Sequence, residues 1–140
     1  TEQCPDTRFV LDHCGNADVN VFSGETDKNS HDPEQWKRDI AAIAKRPNVF
    51  IKISGIVAKA KPGWTDATLA PVINHCLDSF GPDRAVFGGD WPVCLLGAPL
   101  NDWISSLTRI IEKRPEADRQ KLWSENAKTV YRLPKSLKLS

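Results

Sequence analysis

The stretch RAVFGGDWPVC, residues 84–94, contains the features that decide the fold of this 140-residue chain. It begins with a short apolar run rich in β-forming residues, which is typical of a buried strand. Two glycines and the carboxylate of Asp90 follow the run, and Pro92 restricts the backbone of Trp91 directly afterwards. This order predicts a strand whose end carries a pre-oriented acid, as expected at the rim of an α/β sheet.

The rest of the chain repeats this pattern of short apolar runs separated by helical segments. Runs of the same kind lie at Arg8–Leu11 and Asn48–Ser54, so that Arg84–Gly89 is the third predicted strand. The order is β-α-β-α-β-α-α, and strands that alternate with helices of this length predict parallel pairing. The chain is therefore assigned to the α/β class, as one domain over residues 1–140.

Four segments show the apolar spacing of amphipathic helices. They lie at about 32–46, 72–80, 100–111 and 117–131. In the first segment, Asp32 is predicted to cap the helix, with Pro33 at its first position and Gln35 completing a capping box. Three strands leave two sheet edges to be covered, so we expect either further strands upstream or other chains to complete the sheet.

Composition argues against several classes of function. Lys and Arg number 19 against 18 Asp and Glu, for a formal charge of +1, which provides no basic surface for nucleic acid. No apolar run is long enough to span a membrane, and no secretory signal pattern opens the chain. None of the four cysteines is in a C-x-x-C pair, which argues against zinc-ribbon and thioredoxin-like sites. Because Cys76 falls inside an apolar helical pattern, we interpret all four as reduced thiols of a cytoplasmic protein. Because the first residue is Thr1 rather than Met, we expect a processed, trimmed or partial product.

Each predicted strand ends in residues that can carry chemistry. The first strand ends at Asp12 and His13, the second at Lys52 and Ser54, and the third at Asp90. Ligands of α/β folds bind at the carboxyl ends of parallel strands, so these side chains are expected at one rim. The connection from the first strand to the first helix, Cys14–His31, is long. Long connections on this side of a sheet often carry function.

These residue types suit hydrolysis. A neutral imidazole such as that of His13 can bind a metal or orient a substrate oxygen, and the carboxylate of Asp90 can take a proton from attacking water. Plainer interpretations remain open from the residues alone. They are a turn or packing role for His13, a cap for Asp90, a strand residue reaching water for Lys52 and the start of a turn for Ser54.

Four segments together resemble one known family. They are FVLDHCGNAD (9–18), RPNVFIKISG (46–55), FGPDRAVFGGDWPVCLL (80–96) and LWSENAKTVYRL (122–133). In combination they resemble the C-terminal part of the amidohydrolase-related (amidohydrolase 2) family. Within it, the sugar-lactone hydrolases of the L-fuconolactonase and L-rhamnonolactonase type look closest. The resemblance covers about residues 5–133.

The resemblance implies a partial TIM (β/α)8 barrel, with about the last three βα units and a C-terminal helix. The site would lie at the C-terminal mouth of that barrel. The family's H-x-H-type motif on its first strand has no counterpart here, since the only histidines are His13, His31 and His75. A whole barrel usually needs about 250 residues, so an N-terminal half-barrel or a homo-oligomeric partner is expected.

For the site, the resemblance implies that Asp90 and His13 are catalytic and are also the candidate metal ligands. Zinc is the expected divalent metal, although the ligand set in this chain is incomplete and some relatives open lactones without a metal. Trp91 would wall the pocket, and Lys52, Ser54 and the long connection after the first strand would contact the substrate.

The leading hypothesis for function is a hydrolase that opens a sugar-acid lactone, a small molecule, by water attack. Whether this chain alone is an enzyme stays open, because the first-strand motif is missing. One alternative is an inactive or split C-terminal half-barrel that acts as an interaction partner. Another alternative is an aromatic-acid decarboxylase of the same superfamily.

Overall fold

The computed structural model describes residues 3–24 and 30–134, whose strands form a three-stranded sheet. Its strands are β1 (Phe9–Leu11), β2 (Val49–Ile53) and β3 (Ala85–Phe87), in the order β1-β2-β3. Both strand pairs are parallel, which confirms the predicted α/β class and the predicted pairing. Each strand is slightly shorter than the apolar run that predicted it.

Helices follow each strand and close the described part of the chain. The α-helices are α1 (Pro33–Ala44), α2 (Asp66–Phe80), α3 (Leu100–Ile111), α4 (Glu116–Gln120) and α5 (Asn126–Val130). Short 3₁₀ turns lie at Val19–Ser23, Val57–Lys59 and Val93–Leu96. The helix predicted over 117–131 is present but interrupted, since a π turn at Lys121–Glu125 separates α4 from α5.

The first helix begins as predicted, but without the predicted capping box. The Asp32 carboxylate accepts a hydrogen bond from the Glu34 backbone N–H at 2.9 Å, so the cap itself is confirmed. The Gln35 side chain instead donates to Asp39 at 2.8 Å, one turn further along the helix. The Gln35 Oε1, which a capping box needs as the acceptor for the Asp32 backbone N–H, accepts from the Arg38 guanidinium at 2.8 Å. The predicted capping box was therefore wrong, because Arg38 takes the acceptor that it requires.

The two faces of the sheet differ, as β2 shows. Val49, Ile51 and Ile53 are buried in the core with the helices, whereas Phe50 and Lys52 on the opposite face are only partly buried. Side chains alternate between faces along a strand, so this pattern identifies the second face as the more open one. That open face is available to a ligand or to further polypeptide.

The core between the sheet and the helices is apolar and closely packed. Its largest fully buried side chains include Trp103, Ile51, Ile53, Leu69, Ile73, Leu107 and Ile111. Such packing fixes the positions of the strand ends, where the polar residues lie. No helix within the described ranges has the length and apolar character that crossing a bilayer would need.

We expect Ile51→Ala to destabilise the fold by about 2–5 kcal/mol, because Ile51 is fully buried and its truncation leaves a cavity. The measurement is the free energy of unfolding in urea. Leu96→Ala is the control, since Leu96 is 80% exposed and its truncation should cost less than about 0.5 kcal/mol. Equal losses for the two variants would contradict the assignment of the core.

Candidate active site

His13 lies in a left-handed turn that directly follows β1. The backbone angle φ is 55° at His13, 51° at Cys14, 64° at Gly15 and 63° at Asn16. Consecutive residues in this region are rare for L-amino acids and cost free energy at each non-glycine position. Such a turn persists only when its surroundings hold it, which makes it a candidate for a functional role.

Contacts from other elements hold this turn. The Trp36 indole of α1 donates a hydrogen bond to the Cys14 carbonyl at 3.1 Å. The Lys59 ammonium donates to the Asn16 carbonyl at 3.2 Å. Cys14 is fully buried, so the turn is anchored in the core while His13 stays partly exposed.

The His13 ring is oriented by Ser54 and Gly55 at the end of β2. Ser54 is 1% exposed, and its Oγ lies 2.9 Å from Nδ1 of His13. The ring lies over Gly55, where an added Cβ would come within 2.5 Å of the ring Cγ and Nδ1. The hydrogen bond at Nδ1 leaves Nε2 of His13 free to face the open side of the site.

Asp90 reaches the same place from the end of β3. Its Oδ1 lies 4.0 Å from Nε2 of His13, and 17% of the Asp90 side chain is exposed against 41% of that of His13. Asp90 also has a positive φ of 53°, so both members of the pair sit on left-handed backbone. The structure thus brings the imidazole and the carboxylate together at the carboxyl ends of the strands, above Ser54.

Gly88 makes room for the residues beneath this pair. A Cβ at position 88 would lie 2.9 Å from Cβ of Ser54 and 3.0 Å from Cδ of Lys52. The Ser54 and Lys52 side chains therefore pack side by side against the same glycine. Any larger residue at position 88 would displace both of them.

Trp91, predicted to wall the pocket, is 67% exposed and points away from the core. The peptide bond between Trp91 and Pro92 is cis. The loop after it is fixed by the Trp64 indole, which donates to the Gly97 carbonyl at 3.1 Å. The loop is thus held in place while the Trp91 ring itself stays accessible.

Lys52 forms an ion pair with Asp12, its Nζ lying 2.5 Å from the Asp12 Oδ1. Partial burial acts to lower the pKa of Lys52. The hydrogen bond and charge of Asp12 and the neighbouring Tyr131 hydroxyl outweigh burial, so the pKa lies above its usual value. Lys52 is therefore a cation across the physiological range.

Asp12 was predicted at the rim but was given no role in the site, and Tyr131 was not predicted at the site at all. Asp12 follows β1 directly, and its place beside Lys52 could have been inferred from parallel register alone. Tyr131 follows α5 near the other end of the chain, and no local pattern relates it to Lys52. The predicted contact of the long connection with substrate falls partly on residues 25–29, which lie outside the described residues.

His13 and Asp90 fit two ligands of a metal site but do not complete one. Nitrogen and carboxylate oxygen are zinc donors, and two ligands of one tetrahedral zinc lie roughly 3.3–3.5 Å apart, so a shift of about half an ångström would suffice. Catalytic zinc commonly has three protein ligands. Within residues 3–24 and 30–134, no group of three His, Cys, Asp or Glu side chains is placed to hold an ion.

The other two histidines have structural partners. Nε2 of His31 accepts a hydrogen bond from the Asp18 backbone N–H at 2.8 Å. Nε2 of His75 lies 2.9 Å from the Lys37 carbonyl. Both rings also contact Trp36, so they belong to an aromatic cluster behind the turn.

We expect Gly55→Ala to displace the His13 ring, because the new Cβ would overlap it. Gly63→Ala is the matched control, since Gly63 also has a positive φ but has no atom within 4 Å of an added Cβ. Backbone strain costs both variants about 1 kcal/mol, and overlap costs Gly55→Ala a further 1–3 kcal/mol or so. The measurements are the free energy of unfolding and the chemical shifts of the His13 ring, and unchanged shifts in Gly55→Ala would contradict the assigned contact.

The sequence matches a family model and is similar to proteins that are named as lactonases. The family model Amidohydro_2, described as Amidohydrolase, matches residues 1–133. An L-fucono-1,5-lactonase of Burkholderia multivorans is 35% identical, over 90% of this chain and 43% of the relative. An L-rhamnono-gamma-lactonase of Scheffersomyces stipitis is 23% identical, over 94% of this chain and 43% of the relative.

Solved structures are also similar to this chain. One of them is an amidohydrolase from Burkholderia multivorans with bound zinc, with a TM-score of 0.83 and 32% sequence identity. The match covers 95% of this chain and 46% of that protein. The chain therefore spans less than half the length of the relatives that it matches.

Proposed function

The chain belongs to the amidohydrolase family, and we propose that it acts in the hydrolysis of a sugar-acid lactone. The observation that carries the proposal is the approach of His13 Nε2 to Asp90 Oδ1 at 4.0 Å on one rim of a parallel sheet. Two similar proteins are named as sugar lactonases. The substrate is thus proposed to be a cyclic ester of a sugar acid, a small molecule.

Asp90 is proposed as the general base. Its carboxylate is mostly shielded, and a water between it and a bound lactone could transfer a proton to it during attack on the carbonyl carbon. The His13 ring, fixed by Ser54, would polarise the lactone carbonyl through Nε2–H when no ion is bound, and would use Nε2 as a metal ligand instead when one is. The opened product would be a hydroxy acid, which leaves as its carboxylate.

A divalent ion is proposed to bind between these two residues. A similar amidohydrolase holds zinc, and the donor types of His13 and Asp90 suit that ion. When bound, zinc would supply a Lewis acid and lower the pKa of a bound water. A third protein ligand would have to come from outside the described residues.

Substrate contacts are proposed for Lys52, which packs beside Ser54 on Gly88, and for Trp91, which follows Asp90 in the chain and is 67% exposed. Ser54 was also predicted to contact substrate. Its buried hydroxyl on the His13 ring favours a positioning role instead, in which Ser54 acts through His13.

For the architecture, we propose that the sheet is part of a (β/α)8 barrel and supplies about its last three βα units. The strand order, the parallel pairing and the site at the carboxyl ends of the strands all support this proposal. Residues 1–140 would then form a single partial barrel domain. The four cysteines are free thiols, which supports the proposal that the protein works in the cytoplasm.

We expect Asp90→Asn to lower the rate of sugar-lactone opening by roughly 100- to 10,000-fold, because the amide cannot accept the proton. A pH-indicator assay with L-fucono-1,5-lactone measures the rate, on the chain combined with a polypeptide that supplies the rest of the barrel. Asp83→Asn is the control, since Asp83 pairs with Lys121 at the opposite ends of the strands. A full rate in Asp90→Asn would overturn the role of Asp90. An active wild type that consumed aromatic acids but opened no lactone would favour decarboxylation instead.

A second candidate function, pairing with another polypeptide, is favoured by the outer edges of the sheet. Within the described residues, β1 and β3 each pair with β2 alone. Nearby, the loop after β3 exposes apolar side chains, namely Trp91, Val93, Leu95 and Leu96. Open edges and exposed apolar groups are typical of surfaces that another polypeptide covers.

We expect the chain to form a stable complex with the part of the Burkholderia multivorans lactonase that it does not match. Strand pairing across the open edges should slow amide hydrogen exchange in β1 and β3, and light scattering should report a one-to-one complex. Tight pairing without lactone opening would indicate an interaction partner rather than a split enzyme. A chain that formed only its own oligomers, or stayed monomeric, would contradict the half-barrel proposal.

A further inference from the structure

Three side chains beside the catalytic pair form a cluster of their own, here called the rim cluster: Asp12, Lys52 and Tyr131. Leu11 pairs in register with Ile51, so the next residues, Asp12 and Lys52, are neighbours on adjacent strands. Their ion pair has an O–N distance of 2.5 Å, and the Tyr131 hydroxyl lies beside the same ammonium. The cluster therefore combines a carboxylate, an ammonium and an aromatic ring.

The rim cluster adjoins the catalytic pair directly. Asp12 immediately precedes His13 in the chain. The Lys52 stem packs beside Ser54 on Gly88, and Ser54 is the hydrogen-bond partner of the His13 ring. A molecule whose reacting carbon lies between His13 and Asp90 can thus extend over the rim cluster.

Tyr131 is held in place although it follows the last helix. The Arg8 guanidinium at the start of β1 donates hydrogen bonds to the carbonyls of Thr129 and Val130, the latter at 3.3 Å. The Leu133 N–H donates to the Lys128 carbonyl at 2.9 Å and closes the end of α5. These bonds connect the end of α5 to the residue before β1 and so fix the backbone next to Tyr131, whose hydroxyl lies beside Lys52.

The rim cluster is accessible, unlike a packed structural ion pair. The exposed fractions are 55% for the Asp12 side chain, 26% for that of Lys52 and 48% for Tyr131. A half-exposed ion pair contributes little to stability. The Asp12 side chain also makes no capping hydrogen bond to the turn that it precedes. Its carboxylate is therefore available to a ligand.

We propose that the rim cluster is a binding site for the neighbouring hydroxyl groups of a sugar acid or its lactone. A hydroxyl both donates and accepts, so one hydroxyl can donate to Asp12 while its neighbour accepts from Lys52. The Tyr131 ring offers an apolar surface to the C–H groups of the same chain of carbons. The paired charges of Asp12 and Lys52 cancel, which favours a neutral polyol over a second anionic group.

This inference rests on the proposed function for the choice of ligand, and binding to the 140-residue chain tests it without any turnover. The probes are L-fuconate, which carries the hydroxyls, and 5-hydroxypentanoate, a hydroxy acid that lacks them. NMR titration measures both dissociation constants in wild type, Lys52→Met, Asp12→Asn and Tyr131→Ala. Lys121→Met is the control, because its ion pair with Asp83 is remote from the site. Circular dichroism and thermal unfolding establish that each variant folds.

We expect Lys52→Met and Asp12→Asn each to weaken L-fuconate binding roughly 10- to 100-fold, the usual effect of losing a hydrogen bond to a charged group. Tyr131→Ala, at an exposed position, should weaken it several-fold and keep the test decisive if a charge variant unfolds. Binding of 5-hydroxypentanoate should not change, and Lys121→Met should change neither constant. Equal losses for both probes, no loss for either, or no binding of L-fuconate to wild type would each overturn the proposal.

The two proposals fail in distinguishable ways. If L-fuconate binds and depends on the rim cluster but no lactone is opened, the hydroxyl site stands and the lactonase assignment fails. If lactones are opened but the three substitutions leave the dissociation constant of L-fuconate unchanged, the lactonase assignment is supported and the proposed hydroxyl site is wrong.

Discussion

The contact between the His13 ring and Gly55 determines the geometry of the whole rim. A side chain at position 55 would occupy the ring's place, because its Cβ would lie 2.5 Å from the ring. With a glycine there, the ring settles over the end of β2, where the buried Ser54 hydroxyl fixes Nδ1. In this orientation Nε2 of the ring faces Asp90, whose Oδ1 lies 4.0 Å away. Because Gly55 has no Cβ, side chains that follow three different strands can lie together at one rim.

Strain is concentrated at this site and is offset by packing elsewhere. His13 and Asp90 both occupy left-handed backbone, which costs each of them about 1–2 kcal/mol. Trp36 of α1 restrains the turn around His13, and the Cys94 N–H restrains Asp90 by donating to its carbonyl at 2.8 Å. The buried apolar core behind the sheet makes such strain affordable. Within the described residues, the pair therefore lies on some of the most constrained backbone of the molecule.

Local patterns in the sequence were enough to predict the three strands, their parallel pairing and the positions of the helices. They were also enough to nominate His13 and Asp90, since strand ends can be read from apolar runs. They could not reveal the left-handed turn after β1, because that turn is held by a hydrogen bond from Trp36 in α1, which is distant in sequence. Nor could they reveal Tyr131, because its approach to Lys52 depends on the packing of the last helix against β1. The capping box predicted at Asp32 fails because the Arg38 guanidinium donates to the Gln35 Oε1 that the box would need.

We propose that the imidazole of His13 and the carboxylate of Asp90 act as one unit, and a double-mutant cycle measures whether they do. The rate of sugar-lactone opening is measured for His13→Ala, Asp90→Ala and the double variant, each completed with the rest of the barrel. Groups that act together give strongly non-additive effects. We predict that the double variant is about as slow as the slower single variant. Losses that simply multiply would contradict it, because the two residues would then act independently.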